Sequence, residues 1–300
     1  MQANADEAKT VKVGCGTKRA QELRKALIKT APFGQPVTVH LAEGCTYTYP
    51  GNKKYFSVPS GRTIIGHGAT LRGRTKDQAV LRPLTSTARI TLQDLTLAGP
   101  ARCVRVPVGS HFTFKNVKMH CSDAHMTVEK DATVDLLGDT ELRGTGKAVS
   151  WRSEGGGLVI SRGATVHMRD QAKITNWAVS TSMIDHPAGG GTESEAGKYA
   201  TTTTYTPYRA AHSSHVGGTG AGVWNQGTLT VEDQAKITGN KIVRTTQQPK
   251  YPLDADPWDT YKGGGIYNTE GAKATVVPGS VTGNQPDQCA GPAPVTGCTN

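Results

Sequence analysis

Long apolar runs are missing from this chain. No stretch of eighteen consecutive apolar residues occurs, so the sequence offers no helix able to span a bilayer. Aromatic residues are scarce at 6%, hydrophobic residues reach only 36%, and charged residues 19%. A helical bundle would need more Leu, Ala, Glu and Lys, which argues against an all-α fold. Disordered chains are also poor in apolar residues, but they lack periodicity, and here Val, Ile and Thr recur in order. No C-x-x-C pair is present, which removes zinc knuckles and thioredoxin-type motifs. Basic residues are scattered rather than blocked, and no nucleic-acid module appears, so neither nucleic acid nor a membrane is an expected partner.

The chain is rich in small and β-branched residues instead. Its 300 residues include 36 Gly and, counted along the sequence, 39 Thr. That length is ample for one large domain or two small ones. Lys and Arg number 34 against 24 Asp and Glu, a formal charge of +10. Such a balance suits an anionic partner, and a merely well-solvated basic surface accounts for it equally. Six cysteines stand at Cys15, Cys45, Cys103, Cys121, Cys289 and Cys298, an even count that suggests three disulfides and an oxidising compartment. The favoured pairing is Cys15–Cys45, Cys103–Cys121 and Cys289–Cys298, one of 15 connectivities that six cysteines allow. Ala3-Asn4-Ala5 looks like the end of a cleaved signal peptide, so the expected form is a mature secreted monomer carrying an added start Met.

One helix is expected near the start. Ala20, Leu23, Ala26 and Leu27 recur at helical spacing, with Thr17 as the cap. Val37–Leu41 then alternates like a strand. Repeats follow, about 22 residues apart at first. Examples are Arg89–Leu97, His111–Met119, Ala132–Leu136, Ala164–Met168, Thr228–Val231 and Ala274–Val277. Asp170–Lys173 and Asp233–Lys236 share the tetrapeptide Asp-Gln-Ala-Lys. Short alternating strands at such a period mean a solenoid, in which stacked coils build the core that one coil cannot bury. Asn176, Asn240 and Asn284 are expected at equivalent corners, bonding from coil to coil.

Gly263–Asn268, a Thr/Val strand and Val281–Asn284 resemble the secreted bacterial right-handed parallel β-helix proteins, whose fold is that of pectate lyases. Cys15-Gly16 with Gly44–Thr48 resembles their N-terminal cap, and Asn284–Cys289 their terminal tail. The resemblance implies an all-β, right-handed parallel β-helix solenoid with an N-terminal capping helix and two long loop insertions. Residues 1–50 would form the cap, 51–284 the β-helix, and 285–300 a disulfide-bearing tail. The insertions fall at about 184–220 and 242–262, where the repeat is lost. They leave consecutive coils, so they should emerge on one side and wall a groove.

Aligning the strand before each Thr/Val strand gives an outward column containing or near Arg105, His125, Trp151, Arg152, Trp224 and Tyr267. Rings stack on sugar faces and Arg forks onto carboxylates, so the column suits an acidic glycan; an ordinary exposed sheet face would carry the same residue types. By the resemblance, β-elimination would use Arg105, His125 and Arg152, with His212 and His215 beside the substrate. Asp254, Asp256 and Asp259 are the candidates for a Ca²⁺ site, or else a solvated acidic turn, and no other cofactor is expected. A hydrolase would draw its carboxylates from Glu154, Asp185, Asp254 and Asp256. His186, His212 and His215 offer a zinc site or, more simply, surface histidines. No lyase signature motif is present. The expected function is therefore an extracellular protein acting on or binding acidic polysaccharide. The alternatives are a non-catalytic surface or adhesin-type β-helix and a small-molecule isomerase or cyclase with a loop-enclosed pocket.

Overall fold

A computed structural model describes residues 9–30, 35–49, 55–74, 79–100, 102–121, 126–150, 156–180, 182–186, 212–216, 219–243 and 262–300, with the backbone alone at 149, 150, 182–186 and 212–216. The fold is mostly β, with long parallel sheets, consistent with an all-β solenoid. The helix Arg19–Lys29 buries Ala20, Leu23, Ala26 and Leu27, the expected stripe. Lys18, not Thr17, precedes its first turn, and no side chain caps it; Arg19 N bonds Gly16 O instead. It packs on the strands Lys9–Val13, Val37–Leu41, Thr46–Thr48 and Phe56–Val58.

The largest sheet holds a ladder of parallel strands, one per coil. In order these are Lys9–Val13, Val37–Leu41, Arg62–Arg72, Arg89–Gly99, His111–Cys121, Thr133–Leu137, Thr165–Met168, Thr228–Val231, Lys273–Val276 and Val295–Thr296. Alternation sends every second side chain inward. One inward row runs Val11, Val39, Ile64, Leu92, Phe114, Leu136, Met168, Val231 and Val276. Val39 through Val276 are all buried. A neighbouring inward row holds an exception, Arg62, 1% exposed between Val37 and Ile90. Its guanidinium donates to the carbonyls of Leu27, Gln35 and Ser60, tying the last turn of the helix to the sheet. Burial pushes its pKa down from the ordinary value.

The coil then bends once and enters a second ladder in the same sheet, through Thr46–Thr48, Glu141–Arg143, Lys173–Thr175, Lys236–Thr238 and Val281–Thr282. The bend requires a left-handed residue, taken by Asp94, Asn116, Gly138, Asp170 and Asp233. Short polar side chains bear that conformation at least cost apart from Gly, and they bond locally. Here they bond between coils. Asn116 donates to Asp94, Gly138 N to Asp170, and Asp170 N to Asp233. The hydrogen bond from Asn116, then that from Gln93, holds the Asp94 carboxyl below its ordinary pKa.

The expected asparagine corner exists with a register different by one residue. Ile174, Ile237 and Val281 align, as do Thr175, Thr238 and Thr282. Asn176 therefore matches Gly239 and Gly283, all three with positive φ, while Asn240 and Asn284 match Trp177. Asn240 Oδ1 accepts from Trp177 N, and Asn284 Oδ1 accepts from both Asn240 N and Asn240 Nδ2. A second buried pair, Asn225 and Asn268, joins the last coils at 2.8 Å.

All three disulfides form as expected: Cys15–Cys45, Cys103–Cys121 and Cys289–Cys298. Among the described residues no helix is long and apolar enough to cross a membrane.

Candidate functional site

Two further ladders position the residues of interest. One contains Arg105–Val106, Met126–Val128, Leu158–Ile160, Val223–Asn225, Ile266–Asn268 and Cys289–Ala290. Its register sets Arg105, Thr127, Val159, Trp224, Tyr267 and Ala290 on one outward row. Arg105, Trp224 and Tyr267 thus share a line, as the sequence suggested. The strand of the third coil is Leu158–Ile160, not Val149–Arg152. Ala148–Ser150 and Ala178–Ser180 pair instead with each other and with Lys241–Val243, in a separate three-stranded sheet. Strands of three residues are too short to fix a ladder from sequence.

The row is unevenly exposed. Arg105 is open and pairs with Glu129. The Thr127 hydroxyl is shielded from solvent and has no hydrogen-bond partner among the described residues. Val159 and Trp224 are only 8% and 7% exposed, although they point away from the core, so the Trp224 ring is not presented as an open stacking surface. Tyr267 is half-buried. Close backbone approach beneath the row explains the glycine run: a Cβ on Gly222 would lie 2.5 Å from Gly265 O.

The two expected insertions leave and return at neighbouring points. Ser180 and Val243 are register partners at the departure. Thr219 and Lys262 bridge at the return, and Gly220 N bonds Lys262 O. The first insertion includes an antiparallel pair, Ser182–His186 with His212–Val216, within what the sequence suggested was loop. His186 stands opposite His212, and His215 opposite Met183. His125, Trp151, Arg152, Glu154, Asp254, Asp256 and Asp259 lie outside the described residues. Among the described residues, no group of three or more His, Cys, Asp or Glu is placed to hold a metal.

The sequence reading missed a second cluster, on the outward face of the ten-strand ladder. Its central row is Thr10, Thr38, Thr63, Thr91, Thr113, Asp135, His167, Thr230, Thr275 and Thr296. Only Asp135 and His167 depart from threonine, and they are neighbours. His111, in the adjacent row, bonds Asp135 across coils, Nε2 to Oδ2 at 2.7 Å. A carboxylate only accepts, so Nε2 carries the proton and donates. The signal was present in the repeats as the break in Thr alternation, but only the register shows that the two exceptions are neighbours.

Compared with protein-family models, curated proteins and solved structures, the chain matches none.

Proposed function

We propose that the parallel ladders form a right-handed β-helix, closed at its N-terminal end by the helix Arg19–Lys29, and that the protein is an extracellular binder of acidic polysaccharide. Right-handed crossovers are the rule for parallel strands, and the disulfides fit an oxidising compartment. The observation that carries the binding assignment is the shared outward row of Arg105, Trp224 and Tyr267, beside which two successive coils depart and return. A row along a solenoid matches an extended ligand, and a +10 charge favours an anionic one. Arg105 supplies the forked cation and Tyr267 the aromatic edge.

The test is calorimetric titration with polygalacturonate, alginate, hyaluronan and heparin, with calcium and with chelator. Binding to at least one polymer, weakened by Arg105→Ala with Tyr267→Ala, is the expected result. No binding to any polymer would sink the reading. Growth of the ultraviolet band of an unsaturated uronate in the same samples would extend it to β-elimination.

A further inference from the structure

The threonine face carries chemistry that the fold does not ask for. Threonine fills eight of the ten positions of the central row because a β-branched side chain suits a pleated, half-exposed surface. Asp135 and His167 suit it less well, yet they occupy adjacent coils beside His111. His167 Nδ1 is shielded and has no hydrogen-bond partner among the described residues, a state that stacking alone does not explain.

The surroundings are cationic and hydroxyl-rich. Arg89 lies opposite His111 on the preceding coil, and Lys115 follows four positions along the same strand. Both are exposed, and neither makes an ion pair among the described residues. Arg169, just past His167, pairs with Glu232 at 2.7 Å and feels Asp135. Asp94 lies near Lys115 at the bend. Thr91, Thr113, Thr133, Thr165, Thr228 and Thr230 flank the cluster on both rows. Hydroxyls next to unpaired cations suit a sugar chain bearing negative groups.

We propose that the strip centred on His111, Asp135 and His167 is a second binding site, taking the carboxylate or sulfate groups of an acidic sugar chain, and that protonation of the two imidazoles strengthens it. The ligand class rests on the proposed function; the location and the pH dependence do not. With both rings neutral, Asp135 and Glu232 offset much of the charge of Arg89, Lys115 and Arg169. Protonation adds two cations at the centre of the strip, and histidine is the side chain that changes charge between about pH 5 and 8.

Calorimetry with polygalacturonate and with heparin, at about pH 5.5 and about pH 7.5 and fixed ionic strength, tests this. The decisive variant is Asp135→Thr with His167→Thr, which restores the threonine row, combined with His111→Thr, which matches Thr133 and Thr165 beside it and removes the second imidazole. The wild-type protein should bind roughly tenfold tighter at the lower pH. The restored variant should lose that dependence while its melting temperature stays level or rises. The two polymers tell a carboxylate preference from a sulfate one. Wild-type binding of equal strength at both pH values, or a pH dependence that survives in the restored variant, would overturn the second site alone. Binding to neither polymer at either pH would overturn the second site, and the first reading with it only if alginate and hyaluronan are not bound either. Arg105→Ala with Tyr267→Ala, by contrast, should weaken binding at both pH values and leave the ratio between them intact.

Discussion

Two outward rows run along the same stack of coils and differ in kind. The row from Thr10 to Thr296 is uniform and partly exposed along most of its length. The row from Arg105 to Ala290 changes residue type at every coil, open at Arg105 and covered at Val159 and Trp224. A uniform row is what stacking alone selects, since each coil meets the same neighbours above and below. Variation therefore has to be explained position by position. In the uniform row the explanation is needed only at Asp135 and His167; in the varied row it is needed throughout.

Substitutions can sharpen that contrast. The largest effect belongs to neither row. Ile237→Asp places a charge on a fully buried inward row and should cost about 4 kcal/mol or more, read as a lower urea midpoint. Trp224→Ala comes next, at about 3 kcal/mol, because an outward ring that is only 7% exposed packs like a core residue. A cost under about 1 kcal/mol would mean that the covered row is covered in name only. Asn240→Ala should lose about 2 kcal/mol, since it strands Trp177 N and removes the side-chain donor to Ile174 O. Thr91→Ala, in the uniform row, should cost about 0.5 kcal/mol, measured in the same denaturant series.

The smallest effect is one of pH. Asp94 and Asp139 both have depressed carboxyl pKa values, Asp94 chiefly through its hydrogen bond from Asn116 and Asp139 through that from Lys118. A depressed folded value gives stability that is fully present above the unfolded pKa, about 3.9, and is lost as pH falls through the lower folded value. Asp139 is exposed and Asp94 half-buried, so solvent screening keeps the effect small. Acid titration of Asp94→Asn should show a shallower loss of stability below about pH 4 than the wild-type protein shows.

Much of the architecture was legible because a period of two is a strong signal once it repeats. Val37–Leu41 and the helix stripe follow from local pattern, whereas the disulfide pairing was a preference among 15 connectivities that the structure bears out. Register was harder. The corner asparagines slipped by one because Asn176 and Gly239 answer the same demand for a left-handed residue, and sequence alone cannot tell that Asn240 answers a different one. Val149-Ser150 and Val179-Ser180 were placed on the wrong ladder because a coil holds several three-residue strands with similar patterns. The cluster of His111, Asp135 and His167 spans three coils, and its members meet only through stacking.

The pairing of departure and return points has a consequence for how the chain tolerates damage. Ala178–Ser180 is already seated on its neighbours before the first insertion begins, and Gly220 is hydrogen-bonded to Lys262 once it ends. A single protease cut between residues 187 and 211 would sever the polypeptide without opening a ladder. The two fragments should migrate together in a native gel and part only in denaturant, so that this protein, once nicked, would behave as a non-covalent heterodimer of its own halves.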